Sequence, residues 1–421
     1  MKATLVIFSA ISMANAFPGM SELRHVSRAQ DEDNTKKLPC DLEGQDESTM
    51  SETGKLIKNI LQGKENPQDL TTAYSSVPDQ NSAECKADKC CIWKHIADEM
   101  KSKMTGDAGR CNSLARQCIR MGFHDAATWS LNTGKDGGAD GSLVLARECF
   151  DRQINSLLTG GCNQMQAWFD TYKSFGVSMA DLIQMGGTFC TLPSHDGDFP
   201  GGPEKTAVVL LANISTGPLA NVATVVCPLG PRVRSFVGRK DNANPSPDGL
   251  LPSPSDPVDQ LISLFANKTI SANQLVALVG AHTSSQQFLV DPARAGDPQD
   301  STPGVWDTNF YGETTDPNSP KQVFKFQSDV SLSQDSRTKG AWTAFTGTQG
   351  QRPWNGAYAA AYVRMSMLGV FNSNNLTECT KALPLPITSF TSPDAAALAD
   401  FANGGAPDAS RNASNGDIII V

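Results

Sequence analysis

The sequence predicts a mainly α-helical protein, and three observations carry that expectation. Apolar residues recur at helical spacing in several stretches, strand signals are few and short, and no internal repeat is found. The periodic stretches are Ile92–Met104, Asn112–Phe123, Gln164–Phe175, Val258–Ala266 and Ala272–Val279, with a further helix over Tyr358–Leu368. Ser178, with Asp181 three residues on, has the cap spacing that opens another helix. Long Gly-, Pro- and Asp-rich connections join these pieces, notably Asn242–Pro257 and Asp291–Pro303.

At 421 residues the chain can bury a large core, enough for one big domain or two modest ones. Its net charge of −9 sets a field that discourages nucleic acid and anionic membranes, so neither is expected as a partner. Residues 1–16 read as an export signal: Lys2, an apolar run over Ala3–Ser12, and a small-residue cleavage site at Ala14-Asn15-Ala16. That run is too short to span a bilayer, and a soluble, secreted, monomeric protein is expected. Eleven cysteines suit an oxidising compartment, and Asn267, Asn375 and Asn412 head sequons for N-glycans. Residues 17–80 are polar and poor in aromatics, the composition of a flexible leader. The folded domain is expected over 81–390, opened by Cys85, Cys90 and Cys91. Residues 391–421 read as a surface-wrapping or disordered tail.

Three constellations carry chemistry. In Arg120-Met121-Gly122-Phe123-His124-Asp125, Arg120 and His124 are four apart and share one helix face. Cleaving a peroxide needs a base that takes one proton and returns it to the departing oxygen, which suits a neutral His. It also needs a fixed positive charge where negative charge develops, which suits Arg. Phe123 would wall out water. Alone, the pair is equally consistent with a surface helix carrying a stray histidine.

The second constellation, Gly137-Gly138-Ala139-Asp140-Gly141-Ser142, offers alternating oxygens in a Gly-bent loop. Asp125, Asp140, the Ser142 hydroxyl and the Gly138 carbonyl would make one calcium shell, although a plain Gly-Asp turn has the same look. The third is Val279-Gly280-Ala281-His282-Thr283 at the end of an apolar helix, followed by Asp300 to Asp307 and by Asp329. A histidine there suits the axial position of a haem, and Asp329 on its other ring nitrogen would enrich it in electrons. Thr283, Asp300, Thr302, the Val305 carbonyl and Asp307 resemble a second calcium shell. Alone, His282 reads as a core histidine.

Taken in order, "RMGFHDA", "GGADGS", "GAHT", "DSTPGVWD" and "FQSDVSLSQDSRT" resemble the fungal secreted class of the plant peroxidase superfamily, from about Cys85 to Pro384. The resemblance implies an all-α fold of about ten helices in two halves enclosing one haem b, with a calcium ion on each side. It implies hydrogen peroxide as oxidant, a high-valent haem intermediate, and small phenols as donors, in phenol or lignin degradation or in the response to oxidative stress. An Asn should orient the distal base: Asn155, in the segment of Glu148 and Arg152, matches best, and Asn163 less well. Pro252 matches a distal-side proline. The implied disulfides are Cys85–Cys91, Cys90–Cys379 and Cys111–Cys227, which leaves Cys40, Cys118, Cys149 and Cys162 unassigned.

Departures from the family pattern narrow the reading. The positions of the manganese-binding carboxylates hold Ser113, Gln117 and Phe288, and the surface tryptophan that serves bulky lignin models is replaced by Ala277. Gln299 stands where an aromatic usually precedes the calcium aspartate. Similarity also breaks between Gly187 and Leu219, 33 residues that contain Cys190. Gly187-Thr188-Phe189 and Leu219-Ala220 permit splice donor and acceptor sequences. Removing the segment leaves an even number of cysteines, so a retained intron is expected, the alternative being a genuine surface lid. The rival class is a haemless, secreted calcium-binding relative. Such a protein has no need of Arg120, His124, His282 and Asp329 together.

Overall fold

Side-chain caps mark where the helices begin. Ser51 accepts the Gly54 N–H and opens α1 (Glu52–Leu61), and Asn112 accepts from Leu114 and Ala115 at the head of α3 (Ser113–Ala126). Between them runs α2 (Cys91–Met104). The computed structural model describes residues 30–185, 221–406 and 409–419. The expected export signal and the 187–219 insert therefore lie outside the described residues.

Downstream come α4 (Thr159–Tyr172), α5 (Met179–Met185) and α6 (Asn221–Val226), packed with α2 and α3 into one half of the molecule. Ser178 caps α5 by accepting the Asp181 N–H at 3.1 Å. The other half holds α7 (Val258–Ala266), α8 (Ala272–Val279), α9 (Asn309–Thr315), α10 (Gln327–Gln334), α11 (Lys339–Phe345) and α12 (Gln351–Met365). A capping box between Ser271 and Gln274 starts α8, which lies along α12. The class is mainly α, and the described strands are β1 (Phe236–Val237) and β2 (Thr377–Glu378), an antiparallel pair of two residues each.

Four disulfides hold the described chain: Cys85–Cys91, Cys90–Cys379, Cys111–Cys227 and Cys149–Cys162. The last joins two cysteines that the sequence left without partners. Cys40 and Cys118 are buried thiols, and burial pushes Cys40 up to about 11 and Cys118 well above its ordinary range.

The structure corrects the leader. From Leu38 onward the chain is packed on the body: Leu38, Leu42 and Met50 are buried, and α1 buries Ile57, Ile60 and Leu61, a helical stripe. Arg364 of α12 donates to the carbonyls of Lys37 and Leu61. A segment with few apolar residues is ordered here because the body supplies the other half of its core. The domain thus starts well before residue 81.

The tail is also structured. Helices α13 (Ala395–Ala402) and α14 (Ser410–Asn415) close a small cluster of Leu398, Phe401, Ala409, Ala413 and Ile419. Two buried arginines fasten it. Arg110 makes a two-pronged contact with Asp394 (2.5 and 3.1 Å), and Arg116 of α3 donates to the Ser414 carbonyl and hydroxyl. Burial alone would raise the Asp394 carboxyl, but hydrogen bonds from Arg110, the Ile419 N–H and Ser392 hold it down to about 2. Its contribution to stability is therefore present above the ordinary carboxylate range and lost as pH falls toward 2. Arg110→Leu leaves the Asp394 charge buried and uncompensated, at a cost of roughly 3–5 kcal/mol. Denaturant unfolding should show that loss, and limited proteolysis should begin within 395–419.

Candidate functional site

On α3 the side chains of Arg120 and His124 project into one cavity of about 320 Å³, which His282 lines as well. Its other walls are mostly apolar, among them Phe123, Pro252, Leu261, Phe265, Leu278 and Phe326. Phe123 stacks on Phe265 with centroids 5.9 Å apart.

His124 is buried, and its ring is held at both nitrogens. Nδ1 lies 2.6 Å from Asn155 Oδ1, and Arg120 Nε donates to Nε2 at 2.9 Å. Both partners demand the same tautomer: Nδ1 carries the proton and Nε2 the lone pair. Burial, then the neighbouring Arg120 charge, hold the imidazole well below its ordinary range, so it is a neutral base. Burial also lowers the Arg120 guanidinium to about 10, which leaves it charged at neutral pH. Arg120 is fixed further by the Ile154 carbonyl (2.9 Å).

Asn155 in turn donates to the Glu148 carbonyl at 3.0 Å. The Glu148 carboxylate is clamped by Arg152 (2.7 Å) and by the Ser246 N–H and hydroxyl. Asn163 is exposed and stands away from this network. Ser246 was not singled out from sequence, because only the fold brings the 242–257 connection beside residue 148.

His282 lies one turn beyond α8, in a 3-10 turn over Gly280–Ser284. Nδ1 is 2.8 Å from Asp329 Oδ2, which leaves the Nε2 lone pair for the cavity. Phe310 and Phe326 pack edge-on against the ring, each with centroids 5.5 Å away. Gly280 is required where it stands, since a Cβ there would meet the Tyr311 hydroxyl at 2.2 Å. Gln299 is buried outside this cavity and its amide oxygen accepts from Ser285, so it adds no polar group to the cavity wall.

Two carboxylate clusters flank the cavity residues. Asp125, next to His124, is buried and accepts the N–H groups of Gly141 (3.1 Å) and Leu143 (3.2 Å). Burial and the charge of Asp140 push it well above the usual carboxylate range, and the Ser142 hydroxyl beside it is buried. Gly138 has φ +116°, and a Cβ would strike the Leu368 carbonyl; its own oxygen accepts from Asp140 N–H at 2.8 Å.

In the other cluster Thr283, next to His282, donates to Asp300 (2.5 Å) and approaches the Val305 carbonyl (3.3 Å). Thr302 donates to Asp307 at 2.9 Å. Burial, then the other carboxylates, raise Asp300, and burial raises Asp307. Crowded, dehydrated oxygens of this kind are the donor set of a hard cation, so both clusters fit calcium.

The departures noted in the sequence take structural form. None of Ser113, Gln117 and Phe288 lines the cavity, and Gln117 spends its side-chain oxygen on the Gly161 N–H (2.9 Å). Ala277 is buried and its carbonyl accepts the Trp354 indole N–H. The cavity rim instead presents Ile154, Leu289 and Val290, which remain 40–56% exposed. Residue type alone did not single these out.

Comparison with known proteins finds peroxidases. The family described as "Peroxidase" matches residues 96–348. The chain is 30% identical to a peroxidase of Arthromyces ramosus, over 72% of this chain and 79% of that one. It is 29% identical to a manganese peroxidase of Phlebia radiata (70% and 77% covered) and 28% identical to a ligninase of Phanerodontia chrysosporium (75% and 82%).

If the two carboxylate clusters hold cations, chelation should destabilise the fold. A cation kept at a hundred times its dissociation constant contributes about 2.7 kcal/mol. Thermal melts with excess chelator should therefore fall by several degrees and recover when calcium is returned.

Proposed function

The chain belongs to the peroxidase family, and from that premise we propose that Arg120 and His124 are its peroxide-cleaving pair and His282 the iron ligand of one haem b. The enzyme is a haem peroxidase that uses hydrogen peroxide to oxidise aromatic donors. One observation carries the residue assignment. Two imidazoles line a single cavity, and each has its Nδ1–H taken, by Asn155 and by Asp329, so both Nε2 lone pairs point to the cavity side, where that of His124 meets the Arg120 Nε–H.

When bound, haem supplies an iron centre that takes two oxidising equivalents from peroxide and passes them on one at a time. His124 removes the proton from the near oxygen of peroxide and returns it to the departing one, as a base held neutral can. Arg120 stabilises the negative charge that builds on that oxygen. Its Nε–H now occupies the His124 lone pair, so peroxide enters by replacing that hydrogen bond. Asn155 keeps the tautomer, and the Glu148–Arg152–Ser246 network keeps Asn155. Asp329 polarises His282. Phe123 and Pro252, which line the cavity with His124, would limit the space left for peroxide.

Calcium is the family's other implied ligand, and we assign one ion to Asp125, Gly138, Asp140 and Ser142. A second goes to Thr283, Asp300, Thr302, Val305 and Asp307. Small phenols are the donors these residues favour, because the manganese carboxylates and the surface tryptophan are absent and the rim is apolar. The biological setting this suits is degradation of phenols or lignin, or defence against peroxide. Export through residues 1–16, a monomeric state and glycosylation complete the proposal. Asn375 is exposed, whereas Thr269 of the Asn267 sequon is buried and bonded to Arg364. No described helix is long and apolar enough to cross a membrane.

A visible spectrum of the haem-loaded protein, taken before and after one equivalent of peroxide, tests the reading against the haemless rival. A ferric band that shifts with peroxide is expected, and no haem uptake would overturn the assignment. His124→Leu and Arg120→Leu should each slow the peroxide step by about 10²-fold or more. The wild-type rate should be flat through neutral pH and fall only in acid, where His124, shifted below its ordinary value of about 6.5, becomes protonated. A midpoint at or above that value, in stopped-flow rates, would remove His124 as the base.

A further inference from the structure

Behind His282 the core is built from aromatic rings in unbroken contact. Phe310, edge-on to His282, touches Tyr311 (centroids 5.2 Å) and Trp342 (5.4 Å). Tyr311 touches Trp342 (5.1 Å) and Trp354 (5.5 Å). Trp354 lies flat on Trp306, with centroids 5.1 Å apart and planes within 2°. All are buried. Apolar filling alone would be met by Phe and Leu; indoles and phenols are also the side chains that give up an electron most readily.

We infer that the Trp306–Trp354 pair is a reversible store for one oxidising equivalent, charged from the haem side when no donor waits at the rim. The inference rests on the peroxidase reading above. In the step, one electron leaves the indole pair and enters the peroxide-oxidised haem, which drops by one equivalent; no bond breaks and no proton moves. Parallel contact lets the two rings share the hole, which makes the pair easier to oxidise than either indole alone.

The surroundings decide that the hole stays a cation. Trp354 Nε1–H donates to the Ala277 carbonyl at 2.9 Å, and a neutral carbonyl is too weak a base to take the proton. Trp306 Nε1–H finds no acceptor among the described residues. A radical that keeps its proton remains a strong oxidant and takes an electron back readily, so the pair stores the equivalent without trapping it. Oxidising a phenol, by contrast, releases its proton. Among the described residues, the hydroxyl of Tyr358, whose ring centroid is 4.7 Å from that of Trp306, is buried without an acceptor, and the Tyr311 hydroxyl meets only the Val276 carbonyl (2.8 Å). Neither tyrosine drains the pair.

The test is electron paramagnetic resonance of haem-loaded protein, freeze-quenched after one equivalent of peroxide with no donor. An organic radical is expected whose hyperfine pattern changes when the protein is grown with ring-deuterated tryptophan. It should be largely lost in Trp306→Phe and should vanish, with return of the ferric band, when a small phenol is added. A haem band that shifts with peroxide but yields no radical overturns the inference and spares the peroxidase reading. So does a radical blind to tryptophan deuteration, or one unchanged in both Trp306→Phe and Trp354→Phe. A haem band that ignores peroxide overturns both.

Discussion

The Nδ1–H of His282 has to be accepted by Asp329 for the opposite nitrogen to face the cavity, and much of one half of the molecule is arranged around that bond. His282 sits at the end of α8, whose direction is set by two side chains from other helices. Tyr311 of α9 donates to the Val276 carbonyl and Trp354 of α12 to the Ala277 carbonyl. Asp329 arrives on α10, and Phe326 at its head presses on the imidazole. Gly280 lets the turn approach Tyr311 and Trp354 closely enough for this to close. A helix that slid by a fraction of a turn would break both carbonyl contacts and carry the imidazole away from its carboxylate.

The distal side solves the same problem from a rigid helix. Arg120, His124 and Asp125 are consecutive features of α3, so the proposed base and its charged partner are spaced by helix geometry alone, and only the tautomer needs outside help. Both carboxylate clusters touch the residue next to a functional histidine: Asp125 follows His124, and Thr283 follows His282. A cation drawn into either cluster tightens the backbone at the point where a ring must not turn. With a cation in place, the anionic crowding at each cluster would be relieved and the neighbouring histidine held more firmly.

Residue chemistry in the sequence already marked Arg120, His124, His282, Asp329 and most of the carboxylates, because their spacing follows a helix or a short loop. Helices with a clear apolar stripe, such as Val258–Ala266 and Ala272–Val279, were readable to the residue. Three were not. Helices α9, α10 and α11 are seven or eight residues each, with polar or aromatic content that tertiary packing turns helical. The packed segment before residue 80 was misread as a leader because composition was averaged over it, although Ile57, Ile60 and Leu61 have helical spacing. Contacts that cross the chain, such as Ser246 on Glu148 or Cys149 on Cys162, leave no periodic trace. The rim residues Leu289 and Val290 are ordinary apolar side chains until the fold exposes them.

The C-terminal segment reaches back to the start of the distal helix, and this has a consequence for synthesis. Arg110 and Arg116 are made early and buried, yet Asp394, Ser414 and the Asp417 carbonyl that receive them are near the end of the chain. The Cys90–Cys379 bridge spans 289 residues in the same direction. As the chain emerges, the arginines remain hydrated cations until the last thirty or so residues are released, and the cavity-bearing helix cannot reach its final burial before then. A chain stopped before Asp394 would leave Arg110 and Arg116 without these acceptors at the head of the cavity-bearing helix.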